Sequence, residues 1–127
     1  MFYSIYIKDR PGSGPERVAA VELHRAYIKA RAHKILAAGA TFDGSGKVVE
    51  GGSYIVEMER DEVERFVAED PFTLAGIRES VTIPPWFKAC FNREFLIAVK
   101  PPGSPDVNER LIGAEKSPES ERRVLHA

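Results

Sequence analysis

The chain has 127 residues, 43% hydrophobic and 29% charged, with 18 basic and 19 acidic side chains for a net charge of −1. That length suits one domain able to bury roughly two thirds of its unfolded surface. The composition speaks against a nucleic-acid binder, which shows a clustered basic excess, and against a membrane span, which needs about 20 consecutive apolar residues. A single cysteine, Cys90, excludes an intrachain disulfide and a multi-cysteine zinc site.

The opening run Met1-Phe2-Tyr3-Ser4-Ile5-Tyr6-Ile7 lacks the basic start and long apolar core of an export signal, so a cytoplasmic location is expected. The same run reads as a strand over residues 2–8, with Tyr3, Ile5 and Ile7 on one face and Phe2, Ser4 and Tyr6 on the other. Residues 9–15, rich in Pro and Gly, break the chain. Residues 15–38 favour helix, with Pro15 in the first turn, an apolar stripe of Val21, Ile28, Ala32 and Ile35, and Gly39 as C-cap. A short strand is expected over residues 40–42, then turns at residues 43–46 and at Gly51-Gly52.

Residues 53–58 alternate as a strand, placing Tyr54, Val56 and Met58 on one side. Asp61-Glu62-Val63-Glu64 resembles a capping box opening a second helix. That helix turns Val63, Phe66 and Val67 inward and must end near Asp70, because Pro71 disfavours helix in the residue before it. Residues 77–83 form a strand that stops at Pro84-Pro85, and residues 93–99 read as a fifth strand. From Lys100 onward the prolines and charges predict an extended or disordered tail. The division is a core domain over residues 1–88 and an extension over residues 89–127. Cys90, between Ala89 and Phe91, reads as a small buried hydrophobe.

The order strand, helix, strand, strand, helix, strand is the βαββαβ arrangement of ferredoxin-like α+β folds, an antiparallel sheet with two helices on one face. The other face would be left bare, and Tyr6 and Phe2 make it apolar. Such a surface normally finds a partner, so a homodimer packed sheet against sheet is expected.

Two ionisable residues interrupt the apolar stripes. His24 lies three positions after Val21 and four before Ile28, on the core-facing side of the first helix. His33, nine positions on, turns to roughly the opposite side at about 100° per residue. Asp70 follows Val63 by seven positions and so points toward the sheet. An inward carboxylate needs a partner, and His24 is available across the helix–helix groove. Such a pair either moves protons, the Asp fixing the imidazole tautomer, or simply ties two helices together.

The runs Leu23-His24-Arg25-Ala26-Tyr27, Gly52-Ser53, Asp70-Pro71-Phe72 with Ala75-Gly76, and Val81-Thr82-Ile83 with Pro84 resemble the YciI-like (YCII-related) family of the dimeric α/β-barrel group. The resemblance covers about residues 1–88. It implies a ferredoxin-like dimer with a pocket beside the subunit interface. It also implies His24 and Asp70 as catalytic pair, and Ser53 and the Phe72 backbone as substrate-binding groups. The implied activity is a cofactor-free and metal-free enzyme acting on a small aromatic or enol-type compound by proton transfer or elimination. A non-catalytic metabolite-binding or accessory module is the alternative, and a cofactor-free monooxygenase a more distant one by analogy of fold. Two departures stand out. Val21 occupies a position where many relatives carry Arg, which puts anion binding in doubt, and Gly39-Ala40-Thr41 replaces a Gly-Pro, which alters the pocket rim.

The glycine pairs lack the strand–turn–helix setting of a phosphate loop, and His24 with Asp70 supplies too few ligands for a metal. Tyr27 and Tyr54 read as core residues, and Trp86 as an interface anchor.

Overall fold

The computed structural model describes residues 1–103, together with residues 124 and 125. Most of the proline-rich tail, and His126 with it, lies outside the described residues. Strand β1 (Phe2–Asp9) leads through a turn at Gly12, whose φ is +78°, into helix α1 (Gly14–Ala30). A single 3-10 turn (Ala32–Lys34) connects to β2 (Ile35–Phe42), and β3 (Val49–Glu57) returns antiparallel to it. Helix α2 (Arg60–Ala68), the one-turn helix α3 (Pro71–Leu74) and strand β4 (Arg78–Thr82) complete the motif. The strands lie in the order β2-β3-β1-β4, the ferredoxin-like order, and the backbone of β7 (Val124–Leu125) adds to the β4 edge.

One face of the sheet is dry. Alternation along β1 and β3 turns Tyr3, Ile5, Ile7, Tyr54 and Val56 to that face, where they pack on Val63, Phe66 and Val67 of α2. Tyr27 and Ile28 of α1 close the same cluster. Tyr27 also locks the two helices, its hydroxyl donating to the Phe66 carbonyl at 2.8 Å. A smaller cluster joins Ala20 of α1 to Phe72 of α3 and Ile77. On the opposite face Tyr6 is 52% exposed, while the Phe2 ring meets the edge of Trp86 at 6.1 Å.

Several sequence expectations are corrected. The first helix ends eight residues early, and residues 35–38 go to β2 instead, because Ile35, Ala37 and Ala38 can pair with the long strand β3. Nothing within residues 31–38 forbids helix, so pairing across the sheet overrides local propensity. Gly39 consequently sits in a strand rather than capping a helix. Gly51 and Gly52 are likewise strand residues, paired with β1, and not a turn. A Cβ on Gly51 would lie 1.9 Å from the Ile7 carbonyl oxygen, so this glycine serves close strand approach. The expected fifth strand is a short hairpin, β5 (Cys90–Phe91) with β6 (Glu94–Phe95), turned by Asn92 and Arg93 at positive φ. That hairpin stands apart from the main sheet, so Cys90 is exposed rather than buried.

Candidate active site

The second helix stops at Ala68, and Asp70 becomes the N-cap of α3, its carboxylate accepting the Phe72 N–H at 2.8 Å. Pro71 follows at the first helical position, where its missing N–H costs nothing. This cap holds Asp70, only 3% exposed, against α1. His24 reaches it there: Nδ1 lies 2.8 Å from Asp70 Oδ1 and 3.1 Å from Oδ2. The imidazole stacks on the Phe72 ring, with centroids 4.0 Å apart and planes within 13°. The tripeptide Asp70-Pro71-Phe72 thus supplies both the partner and the platform of His24.

Asp70 also faces Arg78, whose Nη2 is 3.5 Å from Oδ2. Accepting from an amide, an imidazole and a guanidinium is what a carboxylate does. In the neutral imidazole the hydrogen therefore sits on Nδ1, and Nε2 carries the lone pair. Among the described residues Nε2 makes no hydrogen bond.

Behind the pair runs a buried charge network that the sequence reading missed. Arg78 is fully buried and also donates to Asp9 Oδ1 at 3.3 Å, while Arg17 Nε donates to Asp9 Oδ2 at 2.9 Å. A buried charge persists only when it is paired; Arg78 is paired through Nη1 and Nη2, while its buried Nε has no hydrogen-bond partner among the described residues. A β-bulge creates the network. Lys8 pairs with Ser80 but Asp9 pairs with Arg78, so Glu79 is the extra residue and Arg78 is re-aimed to the helix side. Asp9 could have been found by continuing the Tyr3-Ile5-Ile7 alternation one step. Arg17 could have been found seven positions before His24 on one helix face. No period-two reading could place Arg78.

His24 lines an open cleft of about 500 Å³ between α1 and the β2–β3 edge of the sheet. Val21 and Ile28 flank it on α1, with Arg17, Arg25 and Lys29 nearby. The floor is built from small residues, Ala38, Gly39, Ala40, Gly51 and Gly52, which leave the space unfilled. Tyr54 and Phe72 complete the wall. Loss of water raises the Tyr54 phenol above its ordinary pKa of 10.0, against the opposing pull of Arg78, and Asp70 adds to the rise. Tyr54 therefore faces the cleft as a neutral hydroxyl.

The sequence-derived residues separate into two groups. His24, Asp70 and Phe72 come together at the cleft. Ser53 does not join them: it alternates with Tyr54 and lies on the bare face, beside a shallower groove with Ala37 and Thr41. Among the described residues no cluster of three or more His, Cys, Asp or Glu side chains could hold a metal ion. No described helix is long and apolar enough to cross a membrane.

Comparison with known proteins gives two matches of consequence. The YCII-related domain matches residues 1–87. Among solved structures, the 5-chloro-2-hydroxyhydroquinone dehydrochlorinase TftG from Burkholderia phenoliruptrix AC1100, in complex with 2,5-dihydroxybenzoquinone, superimposes with a TM-score of 0.65 at 36% identity. The alignment covers 68% of this chain and 94% of that one. No curated protein matches the sequence.

Proposed function

The chain belongs to the YCII-related domain family, and we propose that it is a small-molecule enzyme in which His24 and Asp70 perform acid–base chemistry on a hydroxylated, quinone-type ring. The observation carrying this reading is the hydrogen-bonded pair on the wall of an open cleft. The similarity to a dehydrochlorinase bound to a dihydroxybenzoquinone supports the substrate class. A six-membered ring fits the cleft with room to spare, since ligand pockets of roughly 300–1,000 Å³ hold small molecules.

In this scheme Nε2 of His24 is the base. With a ring bound as its keto tautomer, Nε2 takes one hydroxyl proton and the oxygen's electron pair becomes a carbonyl. A halide on the ring departs with its bonding pair. The substrate loses one proton and one halide ion, and no oxidant is consumed. Where the ring carries no leaving group, the same base relocates a proton and the reaction is an isomerisation. Asp70 holds the imidazole in the tautomer that accepts at Nε2 and stabilises the imidazolium that forms. Phe72 fixes the ring plane from behind.

Dimerisation through the bare sheet face belongs to the same proposal. Exposed Tyr6 and half-buried Ile55 give that face an apolar patch that a second copy would cover.

A chlorinated hydroxyquinol offered as substrate tests the scheme, with release of halide as the readout. Wild-type protein should release halide. His24→Ala should lose at least roughly 100-fold in kcat, the lower end of general acid–base contributions, while retaining its thermal transition. Undiminished turnover by His24→Ala would overturn the assignment.

A further inference from the structure

We infer that the cleft contains a second, apolar subsite between Ile28 of α1 and Ala38 of β2, and that it prefers a fused two-ring hydroxyquinone over a single ring. This inference rests on the proposed ring chemistry and narrows its substrate class. Residues paired across adjacent strands share a face of the sheet. Tyr54 and Gly52 pair with Ile5 and Ile7 of the dry face, and Ala38 and Ala40 pair in turn with Tyr54 and Gly52. Beside Tyr54, the β2–β3 edge therefore offers α1 only two methyl groups and a bare peptide. A protein interior fills such a layer with large side chains. Here the layer stays open as the cleft of about 500 Å³.

The two ends of the opening differ in polarity. The His24–Asp70 pair and its Phe72 platform form one end. Ile28 follows His24 by one helical turn on the same stripe, roughly 6 Å along the axis. Ile28 and Tyr54 belong to one apolar cluster, so the cleft beyond His24 runs toward Ala38, the strand partner of Tyr54. Ile28 is only half-buried and Ala38 is exposed, although both line the cleft. The neighbouring Arg25 and Lys29 are exposed on α1. Aliphatic surface on both sides of the slot is thus left open among the described residues.

A strand carrying only methyl groups and glycine is a flat floor, and the Ile28 side chain is a wall above it. A planar apolar group fits between the two. A single ring with an oxygen on Nε2 occupies the polar end and leaves Ile28 and Ala38 in water. A ring fused on the side away from that oxygen reaches along α1 toward Ile28. It removes apolar surface of its own and of both residues from water, which is the favourable term.

Hydroquinone and 1,4-dihydroxynaphthalene carry the same two hydroxyls and the same charge, and differ only by the fused ring. Their binding to the full-length protein, measured anaerobically by calorimetry, tests the inference. Wild type should bind the two-ring compound roughly tenfold or more tightly, from the added apolar burial. Ala38→Leu, at an exposed strand position, fills the slot and should erase that preference while leaving hydroquinone binding unchanged. Gly52→Ala raises the floor from β3 and should reduce the preference in part. His24→Ala should keep the preference even with chemistry abolished, so failure of the acid–base reading is distinguished from failure of this one. Equal binding of both compounds by wild type would overturn the inference, as would an Ala38→Leu protein, folded, that still prefers two rings.

Discussion

Asp70 does three things at once: it caps α3, it receives the imidazole, and it meets Arg78. Replacing it by Asn keeps the shape and one acceptor oxygen but removes the charge and offers an NH₂ group to Nδ1. The imidazole would then favour the tautomer with hydrogen on Nε2, which cannot act as base. Asp70→Asn should lower kcat by roughly 10²- to 10⁴-fold with a small change in KM, as read by steady-state kinetics. Arg78 carries a different load. Arg78→Met leaves Asp9 and Asp70 facing one another with one cation fewer, and should cost about 3 kcal/mol in denaturant unfolding, the scale for breaking a buried ion pair. Tyr54 gives a pH signature. Burial raises its folded pKa above the unfolded value of about 10. Its contribution to stability is therefore complete below about pH 10 and is lost as pH rises from there through the folded value. Tyr54→Phe should flatten that alkaline loss in pH-dependent unfolding curves, leaving the share due to Tyr27, also raised by burial. At this scale His24 and Asp70 were legible because both break an apolar stripe. Arg78 was not, because its direction is set by a bulge in the pairing of two distant strands.

The sheet is where local reading and tertiary structure disagree most. Gly51 and Gly52 look like a turn in one dimension, yet in the sheet they let β1 and β2 approach β3 and keep the cleft floor low. Gly51→Ala places a Cβ in contact with the Ile7 backbone. The neighbour is main chain and cannot swing aside, so a loss of at least about 2 kcal/mol is expected from thermal or denaturant melts. At Gly52 the nearest atoms are 3.3 Å away on the Tyr54 ring, so Gly52→Ala should fold and chiefly narrow the cleft. Residues 35–38 of β2 read as helix in isolation because alanines favour helix and no proline or glycine intervenes before Gly39. Their strand character exists only in the presence of β3. By contrast α2 and β4 were legible, since Pro71 and Pro84 mark their limits and their apolar periods are clean.

At the scale of the whole molecule, the alternation of strand and helix patterns was enough to reach the ferredoxin-like order β2-β3-β1-β4. The hairpin after Trp86 was not, because its two-residue strands depend on left-handed Asn92 and Arg93 rather than on any hydrophobic period. The architecture places the three described helices on one face and, among the described residues, leaves the other covered only around Phe2 and Trp86. If a second copy covers that face, Tyr6→Lys at its exposed centre should shift the protein toward monomer in sedimentation, since like charges would be buried in register. Unchanged sedimentation would contradict dimerisation through that face. The cleft opens on the helical side between α1 and the β2–β3 edge, where small residues keep the space open. The account as a whole turns on whether a ring in that cleft meets Nε2 of His24. The most direct measurement is a crystal structure of the protein with 2,5-dihydroxybenzoquinone. A ring oxygen is expected at roughly 2.6–3.2 Å from Nε2. A ligand seated away from the α1–β2 cleft, or in it with no oxygen reaching His24, would contradict it.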